Sequence, residues 1–312
     1  MRRFVVRRKP ESHKGDNMSV NAGVSTDAKC IAAFVEEMNK YAGRFGMSDT
    51  HFVNPSGMDE SSQYSCAKDL ARMTMFCTKY KNLMEYWGRT SYSVFVDGPN
   101  ARTLSGYSTY TGDNMTTVED CYHIIGGKSG TWIVNSSNHI ENLCLVCKSK
   151  VDDAWLVGCI LYNTNNPTAG TKDNRGVPFK QMLDWLEDYR HNSATEAQTV
   201  QASYCSAWVI PSLTELADYE KDLEMVGKNS TTRVIPASCT KLMTAMVALD
   251  YLSINETITI KSGDIKPGSG DTYYVGDTIT FGDAILAMLL PSSNTLAMAI
   301  ARTVGALLLK NR

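Results

Sequence analysis

Length, composition and charge exclude several classes of protein before any motif is considered. The chain has 312 residues, of which 43% are hydrophobic and 21% are charged, and its formal net charge at pH 7 is -2. This balance is typical of a globular protein with one large domain or two modest ones. It gives no bulk reason to expect a nucleic-acid binder, and no apolar run approaches the length of a membrane span.

The amino-terminal segment, MRRFVVRRKPESHKGDN, is basic, and its apolar part is limited to Phe4–Val6. That part is too short for the core of a signal peptide. We therefore expect residues 1–20 to be a disordered basic tail, with contact to an anionic surface as the alternative.

Periodicity predicts a mixture of helices and hairpin strands along the chain. Helices are predicted from Thr26 to Gly46, from about Cys66 to Tyr80, over 179–191, from near Ser238, and over 282–303 with an interruption at Pro291. Strands are predicted at 121–131, 142–149, 153–162 and 205–211, and residues 193–204 are polar and lack an apolar stripe, which is typical of a linker. Strands that form hairpins beside separate helices predict an α+β fold.

The nine cysteines do not indicate a metal site. Cys144 and Cys147 have C-x-x-C spacing, but they fall in a predicted strand, where positions three apart face opposite sides. No second Cys or His pair lies nearby. We interpret the cysteines as small buried hydrophobic residues in a reducing or anaerobic setting.

The segment VIPASCTKLMTAM places Ser238 and Lys241 one turn apart at the start of a predicted helix. Residues i and i+3 of a helix are neighbours, so the lysine could remove the proton that makes a serine hydroxyl a weak nucleophile. Burial or a nearby cation would lower the lysine pKa enough for that task. A second S-x-x-K, Ser65 to Lys68, opens another helix, and we interpret Ser65 there as an N-cap.

Two further short patterns are informative only in context. S-x-N occurs four times, and the copy at Ser292–Asn294 follows a long apolar run at Pro291, which predicts polar side chains at a buried turn. K-S-G occurs at Lys128–Gly130, after a strand whose Gly126 and Gly127 we expect to allow close approach of a substrate backbone. The copy at 261–263 runs into a polar loop and is predicted to lie on the surface.

In these contexts the three patterns resemble the S-x-x-K, S-x-N and K-[ST]-G set of the penicillin-binding proteins and serine β-lactamases. The flanking stretches IPASCTKLMTAMVAL, FVEEMNKYAGRFGMSDTHFVNPSGM and IIGGKSGT narrow the resemblance to the D-alanyl-D-alanine carboxypeptidases of peptidase family S11. The likeness covers most of residues 25–190 and 205–306. It implies a transpeptidase-like fold, an antiparallel sheet flanked by helices with a mainly helical subdomain.

The resemblance also implies roles for individual residues. Ser238 would be the acyl-forming nucleophile, Lys241 its proton acceptor, and Ser292 a proton relay to the leaving amine. Asn294 would hold the substrate backbone and Lys128 would supply positive potential. The substrate-binding residues would be Ser129, whose hydroxyl would bind the substrate carboxylate, together with Gly130 and Thr131; the backbone N–H groups of Ser238 and Thr131 would form the oxyanion hole.

Further implications concern partners and location. The substrate would be a peptidoglycan stem peptide ending in D-Ala-D-Ala, and β-lactams would be covalent inhibitors. No metal or other cofactor and no nucleic acid would be required. The protein would be extracytoplasmic and associated with the cell envelope.

The order of the patterns departs from that of the family, in which S-x-x-K and S-x-N precede K-T-G. We therefore predict a circular permutation: residues 21–192 would be the carboxyl-terminal half of the domain, 193–204 a linker, and 205–312 the amino-terminal half. A flexible linker of about twelve residues spans roughly 20 Å on average. A joined pair of half-domains from adjacent genes is the alternative.

Smaller departures leave the chemistry largely intact. Ser129 replaces the commoner threonine but keeps a hydroxyl. Thr295 stands where the family usually has an acidic residue, which we expect to alter local capping, and Cys239 after the nucleophile is interpreted as a packing residue. Two other functions stay open: a class A-like β-lactamase, for which Glu36 and Asn39 have the wrong spacing, and a catalytically inactive protein that keeps the fold.

Overall fold

The computed structural model describes residues 26–110, 113–165, 175–192, 199–211 and 222–311. The predicted basic tail at 1–20 and the first half of the predicted linker, residues 193–198, lie outside these ranges. The helices are α1 (Thr26–Arg44), α2 (Ala67–Cys77), α3 (Lys81–Trp87), α4 (Asp113–Glu119), α5 (Gly176–Asn192), α6 (Lys241–Leu249), α7 (Phe281–Leu289) and α8 (Asn294–Lys310). Two 3-10 helices, Ala237–Thr240 and Ser262–Asp264, complete the helical elements that we use below.

The central sheet is antiparallel, with the strand order β3-β4-β5-β6-β7. Its strands are β3 (Tyr122–Asn135), β4 (Asn138–Ser149), β5 (Trp155–Asn165), β6 (Tyr204–Val209) and β7 (Val226–Lys228). Two small antiparallel ribbons are built from β1 (Ser91–Val96) with β2 (Arg102–Tyr107), and from β8 (Thr257–Thr259) with β9 (Thr278–Thr280). The α+β class and the antiparallel sheet are therefore confirmed.

The sheet joins the two parts of the chain that flank the predicted linker. Strand β6 pairs with β5 along six residues, from Leu156 opposite Val209 to Leu161 opposite Tyr204. The hydrophobic core beneath the sheet contains residues from both parts, among them Val157, Trp208 and Met243. A second core on the other face of the sheet is closed by α5 and also contains residues on both sides of the linker, among them Phe179 and Ala207.

The cysteines of the C-x-x-C pair face opposite sides of β4, as the strand period requires. Cys144 belongs to the core that contains Met243, and Cys147 belongs to the core that contains Phe179. All nine cysteines are free thiols, and eight of them are buried. The exception is Cys121, which is exposed, so the prediction of burial is wrong for that residue. In the described part of the chain, no group of three or more His, Cys, Asp or Glu is arranged to hold a metal ion.

The helix that was predicted to reach Tyr80 ends at Cys77, and α3 begins at Lys81. The N-cap of α2 is Cys66, whose Sγ accepts a hydrogen bond from the backbone N–H of Asp69. The interpretation of Ser65 as the N-cap is therefore wrong: its hydroxyl lies 2.8 Å from that of Thr50 instead.

Helices α1 and α8 pack against each other where the chain begins and ends its described course. A Cβ atom on Gly305 would lie 1.8 Å from the carbonyl oxygen of Cys30, so only glycine permits this approach. Arg302 of α8 makes a buried ion pair with Asp264, with Nη2 2.7 Å from Oδ2, and also donates to the carbonyl of Thr259. None of the helices in the described part of the chain combines the length and the apolarity that crossing a bilayer requires.

Candidate active site

The side chain of Lys241 is the centre of the candidate site. Its Nζ lies 2.8 Å from Ser238 Oγ, 2.8 Å from Asn294 Oδ1 and 2.7 Å from the carbonyl oxygen of Ser56. Ser238 lies in the 3-10 helix Ala237–Thr240, and Lys241 follows as the first residue of α6. Because side chains three residues apart eclipse each other in a 3-10 helix, the serine hydroxyl and the lysine amine meet.

The environment of Lys241 favours its neutral form. The side chain is fully buried, and all three partners of its Nζ are uncharged oxygen atoms. Burial, and secondly the charge of Lys128, lower the pKa of Lys241 well below its ordinary value. A neutral amine has two N–H donors and one lone pair. The two carbonyl-type oxygens of Ser56 and Asn294 can accept the two donors, which leaves the lone pair for the hydroxyl of Ser238.

The turn at residues 54–57 carries the Ser56 carbonyl and is braced by its own asparagine. The Oδ1 of Asn54 accepts hydrogen bonds from the backbone N–H groups of Ser56 and Gly57, at 3.2 and 2.8 Å. Gly57 has φ +84° and packs so closely that a Cβ atom there would lie 1.8 Å from the carbonyl oxygen of Ala237. The turn thus packs directly behind the 3-10 helix that holds Ser238.

Strand β3 brings the K-S-G segment to the same place. A Cβ atom on Gly130 would lie 3.0 Å from the backbone nitrogen of Ser238, so the strand passes immediately beside that N–H group. The backbone carbonyl of Lys128 lies 3.6 Å from the Sγ of Cys239, the residue after Ser238. Thr131 is the next residue on β3 and is exposed.

Gly126 and Gly127 serve packing within the protein instead of the expected approach of a substrate. A Cβ atom on Gly126 would lie 2.7 Å from the ring of Trp87, and one on Gly127 would lie 2.1 Å from the side chain of Leu145. The expectation for these two glycines is therefore wrong, because the space beside each is occupied by a buried side chain.

Lys128 is fully buried beneath the site. Its Nζ donates to the carbonyl of Ser129 at 2.8 Å and lies 3.5 Å from the hydroxyl of Thr109. Burial lowers the pKa of Lys128 to about 7, and the guanidinium of Arg175 acts in the same direction. The charge of this lysine is therefore sensitive to pH and to an anion bound nearby.

The S-x-N turn follows α7 and begins α8. Ser292 has φ +70°, a left-handed conformation that is strained for a residue with a Cβ atom. Its Oγ is buried and has no hydrogen-bond partner among the described residues. Such strain with an unpaired polar atom is typical of functional positions. The N-cap of α8 is Ser293, and Asn294 bonds to Lys241 through its Oδ1 and to the Pro267 carbonyl through its Nδ2.

Three residues that contact this cluster had no predicted role. Ser56 supplies the carbonyl that binds Lys241, Thr109 contacts both Lys128 and Ser129, and Arg175 donates to the carbonyl of Gly130 at 3.4 Å. Of the three, only Ser56 stands in a stretch with a recognisable pattern, the NPSGM turn. Thr109 and Arg175 reach the site from segments whose composition is unremarkable.

The competing S-x-x-K and K-S-G copies have different surroundings. Lys68 pairs with Asp222 at 2.7 Å, while Ser65 contacts Thr50, so this serine and lysine have separate partners. Lys261 pairs with Asp27 and is half exposed, which confirms the predicted surface position of the second K-S-G copy.

Comparison with known proteins supports one family. Residues 27–148 match the sequence profile of peptidase S11, described as D-alanyl-D-alanine carboxypeptidase. Over these residues the chain is similar to peptidase family S11. This match contains Lys128, Ser129 and Gly130 and ends before Ser238, Lys241 and the S-x-N turn.

Two curated D-alanyl-D-alanine carboxypeptidases show local similarity to the chain. It is 53% identical over 41 residues to D-alanyl-D-alanine carboxypeptidase DacA of Haemophilus influenzae, over 13% of this chain and 10% of that protein. It is 40% identical over 55 residues to D-alanyl-D-alanine carboxypeptidase DacF of Bacillus subtilis, over 18% of this chain and 14% of that protein. The chain thus matches about a tenth to a seventh of the length of these relatives. No solved structure gives a significant match.

Proposed function

We propose that the protein is a serine-type D-Ala-D-Ala carboxypeptidase that works through an acyl-enzyme. The observation that carries the proposal is the contact between Lys241 Nζ and Ser238 Oγ at 2.8 Å, with the lysine fully buried and its pKa lowered. The S11 match over residues 27–148 supports the choice of reaction.

The proposed first half-reaction is acylation of Ser238. Lys241 accepts the hydroxyl proton as the Oγ attacks the carbonyl carbon of the penultimate D-alanine. The oxyanion forms beside the backbone N–H of Ser238 and that of Thr131; each such donor contributes on the order of 10²–10³-fold in rate. Ser292 relays the proton held by Lys241 to the amine of the leaving D-alanine as the peptide bond breaks. Water then attacks the ester, Lys241 accepts its proton and returns it to Ser238, and the shortened peptide leaves.

Residues on two sides of the cleft are proposed to orient the substrate. The terminal carboxylate binds the hydroxyl of Ser129 next to the charge of Lys128, and Asn294 together with β3 holds the peptide backbone. A stem peptide ending in D-Ala-D-Ala meets these requirements, and a β-lactam with its carboxylate and strained amide would acylate the same serine.

The permuted order is part of the proposal. Strand β6, which follows the linker, pairs with β5, which precedes it. Contacts between Lys241 and the turn at residue 56 also span the linker. These contacts support a single domain with its halves exchanged in sequence, and the cell envelope is the location where its substrate occurs.

The alternative β-lactamase function is less well supported. The side chain of Glu36 is 52% exposed and pairs with Lys40. The Nδ2 of Asn39 donates to the carbonyl of Phe52, and its Oδ1 accepts from the N–H of Phe52. None of the three partners of Lys241 Nζ is a carboxylate. A glutamate placed to activate water for rapid deacylation is thus absent from these contacts.

The proposal is tested by release of D-alanine from a diacylated L-Lys-D-Ala-D-Ala peptide. The unsubstituted protein should release D-alanine, and Ser238→Ala should abolish the release. Ser65→Ala is the matched control, because it removes the other S-x-x-K serine, and it should keep the activity. Release that survives Ser238→Ala, or no release by the unsubstituted protein, would refute the proposed function.

A further inference from the structure

The hydroxyl of Thr109 lies between the two residues that are proposed to bind the substrate carboxylate. Its Oγ1 is 2.5 Å from Ser129 Oγ and 3.5 Å from Lys128 Nζ. Both of those residues are buried, whereas Thr109 is exposed at the surface of the site. Thr109 is therefore the member of this trio that solvent reaches most easily.

The chemistry of the three groups restricts the direction of their hydrogen bonds. A lysine ammonium, the form of Lys128 that a bound carboxylate favours, only donates, and a hydroxyl has one proton to donate and lone pairs to accept. If Thr109 accepts from Lys128 and donates to Ser129, the proton of the Ser129 hydroxyl is free to point into the cleft. In the reverse direction Ser129 would spend its proton on Thr109 and could not donate to an anion.

The backbone holds Thr109 in place from two sides. Its N–H donates to the carbonyl of Leu290 at 3.0 Å, at the end of α7 and two residues before Ser292. The preceding N–H, of Ser108, donates to the carbonyl of Thr90 at 2.8 Å. The following residue, Tyr110, is buried and its hydroxyl donates to the carbonyl of Trp87. The Thr109 hydroxyl is thus held ready before any ligand arrives, which is what precise positioning of a binding group requires.

From this geometry we propose that Thr109 is a positioning residue that orients the Ser129 hydroxyl toward the substrate carboxylate. The inference rests on the proposed function, because it assigns a carboxylate to Ser129. Thr109 itself need not touch the substrate: it holds the Ser129 proton in the cleft and links the K-S-G strand to the end of α7. Hydrogen bonds in such a chain polarise one another, so loss of one member weakens the next.

The test compares two peptides that differ only at the terminal group. Binding of a diacylated L-Lys-D-Ala-D-Ala acid and of its carboxamide is measured by calorimetry on Ser238→Ala protein, so that no turnover occurs. This parent should bind the acid more tightly than the amide. Adding Thr109→Val, which removes the hydroxyl at nearly constant volume, should weaken acid binding by about tenfold and amide binding by less than about twofold.

Two further variants separate positioning from a structural effect. Thr109→Ser keeps the hydroxyl and should restore acid binding to within about twofold of the parent. Ser105→Ala removes a different hydroxyl pair, that of Ser105 with Ser93 at 3.1 Å, on the ribbon of β1 and β2 that precedes Thr109, and it should change neither affinity. In the active protein, Thr109→Val should raise KM for the acid peptide more than it lowers kcat.

The possible failures can be told apart. A parent that discriminates acid from amide, with Thr109→Val discriminating equally well, overturns the role of Thr109 alone. Equal weakening of both peptides by Thr109→Val also overturns it, since that result indicates a structural effect. A parent that binds neither peptide, or binds both equally, refutes the carboxylate site of the proposed function.

Discussion

The contact between Gly57 and the nucleophile turn allows a sharp prediction. Gly57 has φ +84°, and a Cβ atom there would lie 1.8 Å from the Ala237 carbonyl oxygen and 3.0 Å from the Ser238 nitrogen. Nonbonded carbon and oxygen atoms pack at about 3.5 Å. In Gly57→Ala the 3-10 helix or the turn must therefore move by more than about 1 Å.

That displacement moves both the proposed nucleophile and a hydrogen-bond partner of the proposed base. It shifts Ser238, whose N–H lies at the proposed oxyanion hole, and it shifts the Ser56 carbonyl that binds Lys241. A misplacement of about 1 Å can cost on the order of 10²-fold in rate. We expect Gly57→Ala to slow acylation by a fluorescent penicillin by about that factor. Overpacking and the left-handed φ should also lower the free energy of unfolding by about 1–3 kcal/mol.

Gly43→Ala is the matched control. Gly43 lies in α1, and a Cβ atom there would meet nothing within 4 Å. It should acylate at the unsubstituted rate and gain about 0.5–1 kcal/mol in the free energy of unfolding. Acylation rates are measured from a time course of labelling with the fluorescent penicillin, and the free energy of unfolding is measured by urea unfolding. If Gly57→Ala acylates as fast as Gly43→Ala, the turn does not pack behind the nucleophile as described.

Three further predictions concern charge, ion pairing and chain order. The pKa of Lys128 is about 7 in the folded protein and 10.5 for an ordinary lysine. Between pH 7 and pH 10.5 the unfolded chain therefore binds more protons than the folded protein. The free energy of unfolding should rise with pH in this range, by about 1 kcal/mol per pH unit from this lysine. Urea unfolding from pH 7.5 to 9.5 should show this slope reduced in Lys128→Met, and an equal slope in both proteins would contradict the lowered pKa of Lys128 in the folded protein. Arg302→Met leaves the carboxylate of Asp264 buried without its partner and should lower the free energy of unfolding by about 3–5 kcal/mol. The control Lys261→Met removes an exposed ion pair and should change the free energy of unfolding by less than about 0.5 kcal/mol. Similar losses in the two variants would contradict the difference in burial between the two pairs. The third prediction rests on the proposed permutation and uses a relinked protein that joins α8 to α1 through a short loop and opens the chain at 193–204. Residues 290–306 should exchange amide hydrogen faster, and Ser238 should acylate more slowly, in the present chain order than in the relinked protein. Equal protection and equal rates would show that the chain order is functionally silent.

Much of the fold could be predicted from periodicity because the elements follow local rules. The apolar stripe of α1 and the interruption at Pro291 predicted the boundaries of α1 and α7 and the start of α8 to within a few residues. The predicted end of α8 at residue 303 is wrong, because the helix continues to Lys310. The two-residue period of side chains along a strand predicted that Cys144 and Cys147 lie on opposite faces of β4, as they do. The small ribbon of β1 and β2 was not predicted. Strand β1 alternates between exposed and buried residues, but its partner β2 has no fully buried residue, so the pair lacks a second apolar strand pattern.

Helix ends and individual glycines were harder to predict because they depend on distant neighbours. Ser65 has the composition of an N-cap, but a contact with Thr50 occupies its hydroxyl, and the less usual Cys66 caps α2. Gly126 and Gly127 were assigned to substrate approach, although Trp87 and Leu145 occupy the space beside them. No local pattern contains that information.

The candidate site shows the same division. Ser238 and Lys241 follow from spacing, since any helical turn brings residues three apart together. The contact of Lys241 with Asn294 could be predicted only from the resemblance to a family, because the two residues are 53 positions apart in the sequence. Thr109 contributes one hydroxyl from the segment after β2, where neither spacing nor composition marks it.

The most direct test of the account is to map the residue that penicillin acylates. The protein is labelled with a fluorescent penicillin and digested, and the labelled peptide is identified by mass spectrometry. We expect one adduct, on Ser238, that is lost in Ser238→Ala and retained in Ser65→Ala. An adduct on another residue, or no adduct on a folded protein, would contradict the assignment of Ser238 as the nucleophile.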